Sequence, residues 1–200
     1  MPNGSTPEPD SETAFYAAIG GTLFFAVLAF GLAVPLKVSL SDHISLNVND
    51  ALIGVIATLP MVAFLYWFTR TEVPSFAEFR SAQIEMFSKI GFEFTWPRII
   101  MMSIAAGVCE ELFFRGLIQT GIAQYSNAML GLAIGSVVFG ILHWRTRLYA
   151  IIATMIGVWL GLIYLYTENI LPAMIAHGLY DVVALYYTRV AIHALSLIHI

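Results

Sequence analysis

From Ile99 to Thr188 the chain is almost continuously apolar, and an uncharged run, Ala14–Val34, stands well before it. Each apolar stretch is near the ~20 residues that one helix needs to cross a bilayer. Only 11% of the 200 residues are charged and 59% are hydrophobic, with a mean hydropathy of +0.81. Soluble domains carry about 25% charged residues. These values place the chain in a membrane as an all-α polytopic helix bundle.

The runs divide the chain into about six spans. Residues 1–13, rich in Pro, Ser and acid, read as a disordered tail. Ala14–Val34 is the first span, stopped by Pro35, and Ala51–Thr69 is the second, with Asn49 as a candidate cap and Pro60 as a kink. The remaining spans are Ile99–Thr120, Ala128–His143, Leu148–Tyr166 and Ile170–Thr188. Gly131/Gly135 and Gly157/Gly161 are spaced to let helix backbones approach closely. The organisation is thus a tail (1–13), two spans followed by an amphipathic segment (14–93), a core (94–188) and a second tail (189–200).

The segment Ser75–Phe92 differs from the spans. Phe76, Phe79, Met86, Phe87 and Ile90 form one stripe, and Glu78, Ser81, Glu85 and Lys89 face away. Ser75 and Glu78 have capping-box spacing just after Pro74. An amphipathic helix lying in the membrane interface is expected.

Arg70, Arg80, Lys89 and Arg98 fall in the second loop, Arg145 and Arg147 in the fourth, and Arg189 after the last span. With six spans these share one side against Lys37 alone, which predicts cytoplasmic ends, in a plasma (inner) membrane. An acidic start (Glu8, Asp10, Glu12) argues against a cleavable signal peptide. The net charge of −4 and the lack of a basic arm exclude a nucleic-acid partner. Cys109 is the single cysteine, so no internal disulfide is available.

Inside the apolar core lie ionisable groups that insertion scales price at roughly 2.5–3.5 kcal/mol each at a helix centre. Glu111 and Arg115 are four apart, acid first, and pair on one helical face. Glu110 points about 100° away from Glu111 and keeps no local partner, which suits it to general-base work in an apolar site. Phe139 and His143 share a face, as do His177 and Asp181, and Asp181 can fix the direction of the His177 ring. Glu110 and His177 sit mid-span whereas His143 falls near a span end. A tilt or a broken helix lining a wet cavity is needed to bring them together. Cys109 has no neighbouring cation and reads as packing. His193 and His199 have no motif around them and stand outside the site.

Glu110-Glu111-x3-Arg115, Phe139-x3-His143 and His177-x3-Asp181 resemble, in order, the three motifs of the CPBP family of intramembrane proteases, that of the Rce1-type CAAX prenyl endopeptidase, also called Abi. The resemblance covers about Phe94–Leu185. It implies that Glu110 with His143 activates a water, that His177, oriented by Asp181, stabilises the oxyanion, and that Glu111, Arg115 and Phe139 support the site. Asp181 departs from the Asn of prenyl endopeptidases, and an ionised Asp cannot donate a hydrogen bond. The metalloprotease label often given to the family brings in zinc, held by Glu110, His143 and His177. The absence of a His-Glu-x-x-His helix, and the loss of the base if Glu110 is a ligand, favour a reaction without cofactor. The implied substrate is a membrane-embedded or membrane-anchored protein or peptide, including lipidated CAAX-type ones. The rival readings are a non-catalytic bacteriocin self-immunity factor and a proton-coupled transporter. No internal repeat supports the transporter.

Overall fold

A computed structural model describes residues 11–198, all of its regular structure helical. The elements are α1 (Ser11–Leu36), a 3-10 turn (Ser41–His43), α2 (Val48–Arg70), α3 (Pro74–Ser88), α4 (Trp96–Glu111), a π-helical stretch (Leu112–Gln119), α5 (Thr120–Tyr125), α6 (Ala128–Leu142), α7 (Arg147–Thr167) and α8 (Leu171–Ile198). Helices α1, α2 and α7 are long and apolar enough to cross a membrane, and α6 is a shorter apolar helix. The chain is an integral membrane helical bundle.

Several boundaries differ from those read in the sequence, each for a local reason. Residues 1–10 of the expected tail lie outside the described residues, and Ser11–Thr13 are already helical. Pro35 does not stop α1, because a proline near a helix end removes only one late hydrogen bond. The stop comes two residues on. Lys37 turns left-handed (φ 57), Val38 N–H donates to Ala33 O at 2.9 Å, and Lys37 N–H donates to Val34 O at 3.1 Å. That is the paired closure of a Schellman motif. The cap of α2 is Asn47, whose side chain accepts from Asp50 N–H at 2.8 Å, and Asn49 lies inside the first turn. Helix α2 runs on through Pro60. Helix α3 begins with Pro74 at its first position behind Val73, which places Ser75 inside the helix, and no side-chain capping bond forms. No separate tail begins at 189, since α8 continues to Ile198. His193 rides on that extension, and His199 lies outside the described residues.

The lengths of the helices set the depth of the site. From Trp96 to Tyr125 the chain forms one continuous rod through α4, the π stretch and α5. Helix α6 folds back along it over 15 residues, about 22 Å at ~1.5 Å per residue, well short of a ~30 Å hydrocarbon core. Glu110 stands the same 15 residues before Tyr125, so the end of α6 returns to its level. The shortness of α6 brings His143 back to the level of Glu110.

The α6–α7 hairpin is held close by glycine. A Cβ on Gly157 would sit 3.1 Å from Ser136 Cα. Helices α4 and α8 touch in the same way, where a Cβ on Gly107 would lie 2.7 Å from Met174 O. Between these pairs, Phe113, Phe114, Leu117 and Phe139 pack with Ala29 and Ala33 of α1. Helix α3 turns Phe79 inward against Phe68 and Ile152, with Phe76 packed beside them, and leaves Glu78, Ser81, Glu85 and Lys89 exposed.

Candidate active site

Four helical segments contribute polar side chains to one buried cluster. Glu110 and Glu111 close α4, Arg115 lies in the π stretch, His143 caps the end of α6, and His177 and Asp181 sit one turn apart on α8. The π stretch is a departure from the plain helix expected over Ile99–Thr120. Such segments are rare and are found frequently at functional sites. Here the Thr120 hydroxyl bonds Arg115 O, five residues back, at 2.8 Å, and so takes up part of the widened turn.

Glu111 is fully buried and central. Its Oε1 accepts from Arg115 Nη1 at 2.7 Å and from His177 Nδ1 at 2.8 Å. The second Arg115 nitrogen, Nη2, donates to Gly157 O at 2.8 Å. Four residues on, Gln119 Nε2 donates to Gly161 O at 3.1 Å. Two side chains spaced by four thus bond two glycine carbonyls spaced by four on α7. The shared spacing of Arg115/Gln119 and Gly157/Gly161 is visible in the sequence, but its meaning as a ladder between helices is not.

Glu110 faces elsewhere. Its Oε2 lies 3.7 Å from His143 Nε2 and has no hydrogen-bond partner among the described residues. His143 is locked by its other nitrogen, Nδ1, which donates to Phe139 O at 2.8 Å, and by the Phe139 ring, stacked at 4.3 Å. The same ring lies 5.0 Å from the Arg115 guanidinium and edge-on to His177 at 5.9 Å. Phe139 is therefore the wedge against which all three polar groups are set.

His177 is held differently from the expectation that Asp181 orients it. The short bond is to Glu111, and Asp181 Oδ2 lies 3.6 Å from Nε2, beyond hydrogen-bond length. Because a carboxylate only accepts, the His177 Nδ1 carries the hydrogen of that bond. Nε2 then accepts in the neutral ring and donates in the imidazolium. Cys109 is buried beside the site as packing.

Glu110, His143, His177 and Asp181 line a cavity of about 310 Å³ whose wall also includes Arg80 and Tyr149. Helix α3 closes one side, and Arg80 Nη1 anchors it by donating to Phe68 O at 2.7 Å. The three side chains considered for zinc do not converge on one point. Glu110 and His143 face each other, but His177 directs Nδ1 to Glu111 and Nε2 to Asp181, and no metal-binding cluster exists among the described residues. The set in this arrangement does not fit a three-ligand zinc site.

Comparison with known proteins bears on the same region. Residues 92–183 match the family model of type II CAAX prenyl endopeptidases, Rce1-like. This segment is thus similar to the Rce1-like endopeptidases. An uncharacterized protein of Bacillus subtilis (strain 168), YpbD, is 37% identical over 90 residues, covering 44% of this chain and 43% of that protein. The matched part is thus under half of either length. No solved structure matches the chain.

Proposed function

We propose that the chain is an intramembrane endopeptidase of the Rce1-like type that hydrolyses peptide bonds of membrane-associated proteins or peptides by a glutamate-activated water. The observation that carries the reading is the facing pair Glu110 Oε2 and His143 Nε2, 3.7 Å apart and opening on the cavity. The pair is too far apart to bond directly and close enough to hold one water between an acceptor carboxylate and a ring nitrogen.

In this mechanism Glu110 takes a proton from the water as its oxygen attacks the substrate carbonyl carbon. The oxyanion forms toward the face of the cavity lined by His177 and Asp181, where the His177 imidazolium donates to it from Nε2. Collapse breaks the C–N bond, and the proton held by Glu110 passes to the leaving nitrogen, giving a carboxylic acid and an amine, which become a carboxylate and an ammonium by proton exchange. Glu111 and Arg115 touch no substrate; they hold His177 and brace the rod against α7. Prenylated CAAX-type proteins are candidates within the substrate class. The cation-rich end of the bundle, with Arg80 and Arg145 near the cavity, faces the cytoplasm of a plasma membrane in this reading.

The test is cleavage of a membrane-anchored peptide library in liposomes by wild type and by Glu110→Gln, with and without a chelator. Loss in the mutant by about 10²–10⁴-fold and survival under chelation support the reading. An active Glu110→Gln protein overturns it.

A further inference from the structure

The oxyanion in this mechanism has few donors available to it. Arg115 is sealed and committed to Glu111 and Gly157 O. His143 Nδ1 is committed to Phe139 O, and His177 Nδ1 to Glu111. Of the hydroxyls lining the cavity, Thr22 bonds Ala18 O and Thr188 bonds Ala184 O, each within its own helix, and the others belong to Tyr149, Tyr180 and Tyr187. Tetrahedral intermediates are stabilised by fixed donors aimed at the developing charge, each worth about 10²–10³ in rate.

Tyr149 has the placement such a donor needs. It lines the cavity with Glu110, His143 and His177, and its ring stands edge-on to the His143 ring at 6.0 Å. Three elements fix it. Phe79 of α3 packs on it at 5.5 Å, the Arg145 guanidinium lies 5.9 Å from its ring, and α7, its own helix, is tied to Arg115 through Gly157. The Gln83 side chain lies beside the Tyr149 hydroxyl. Arg145 Nη1 donates to Gln83 Oε1 at 3.0 Å. With the amide oxygen turned to Arg145, Nε2 of Gln83 is placed on the other side, free to donate to the phenol oxygen. The phenol hydrogen then remains for a group in the cavity.

From this arrangement we infer that Tyr149 is a further catalytic residue, whose hydroxyl donates to the scissile carbonyl oxygen beside the Glu110–His143 water. Gln83 and Arg145 are positioning residues that set the direction of that hydroxyl. The inference rests on the endopeptidase reading. It also gives α3 a task beyond covering the bundle, since α3 carries Gln83 and Phe79 to the site.

The experiment compares wild type, Tyr149→Phe and Gln83→Glu in liposomes on a quenched-fluorescent peptide joined to a transmembrane anchor, reading kcat and KM separately. Tyr149→Phe keeps the ring and is expected to lose about 10²–10³-fold in kcat with KM within about threefold. Gln83→Glu keeps the Arg145 contact but accepts the phenol hydrogen instead of donating, and is expected to lower kcat about tenfold or more with the melting temperature unchanged. Wild-type kcat in Tyr149→Phe overturns the inference, as does a loss confined to KM. If Glu110→Gln is inactive while Tyr149→Phe is not, this inference fails and the endopeptidase reading stands. Absence of cleavage by wild type overturns both.

Discussion

One oxygen of Glu111 holds both Arg115 and His177, at 2.7 and 2.8 Å, and so joins the π stretch of the central rod to α8 through a single buried carboxylate. A buried pair contributes little net stability when intact, because desolvation offsets its attraction, but losing one partner leaves a bare charge. Glu111→Gln is therefore expected to destabilise the protein by about 3–5 kcal/mol. Thermal unfolding in detergent measures this. A melting temperature equal to wild type would show that Arg115 does not depend on Glu111.

Glu110 should behave in the opposite way. Its Oε2 is buried without a hydrogen-bond partner among the described residues, so the fold gains little from the charge. Glu110→Gln should unfold at or above the wild-type temperature while cleavage falls by about 10²–10⁴-fold. Parallel unfolding and cleavage assays on one preparation separate the two neighbours. A large stability loss at Glu110 would count against its freedom from structural duty.

These two glutamates show what the sequence makes legible. Their helical offset of about 100° is enough to assign Glu111 to Arg115 and leave Glu110 free, and the structure has that division. The His177 contact is a different matter. Asp181 at i+4 is visible as a neighbour, whereas Glu111, 66 residues away, becomes one only when α4 and α8 approach through Gly107. The depth of His143 follows from the shortness of α6, and that depends on where capping Asn127 starts the helix and where His143 ends it. Hydropathy finds spans but does not weigh such ends. The π stretch left no sign in residue periodicity, since its residues are as apolar as the α-helix around it.

Phe139 stacks on His143 at 4.3 Å and lies beneath Arg115 at 5.0 Å. Removing the ring should cost about 3–5 kcal/mol by cavity formation and free the imidazole it supports. Phe139→Ala is expected to unfold early and cleave poorly. Phe139→Leu, which refills much of the volume without a stacking face, should regain most of the melting temperature but less of the activity. Full recovery of cleavage in Phe139→Leu would show that the ring contributes volume alone.

Asp181 offers the sharpest division between orientation and charge. If it directed His177, exchanging its carboxylate for an amide would disturb the ring. The ring, however, is already fixed from its other nitrogen by Glu111 at 2.8 Å, while Asp181 stands 3.6 Å off. Asp181→Asn preserves shape and adds a donor facing the cavity, so cleavage should stay within about tenfold of wild type, on the scale of one neutral hydrogen bond of about 1 kcal/mol. His177→Gln, which loses both the Glu111 bond geometry and the imidazolium, should fall much further. Kinetics of the two variants on one membrane-anchored peptide decide the matter. A loss at Asp181→Asn as deep as that at His177→Gln would assign the carboxylate a direct part in holding the proton on Nε2, and would move the control of His177 from α4 to its own helix.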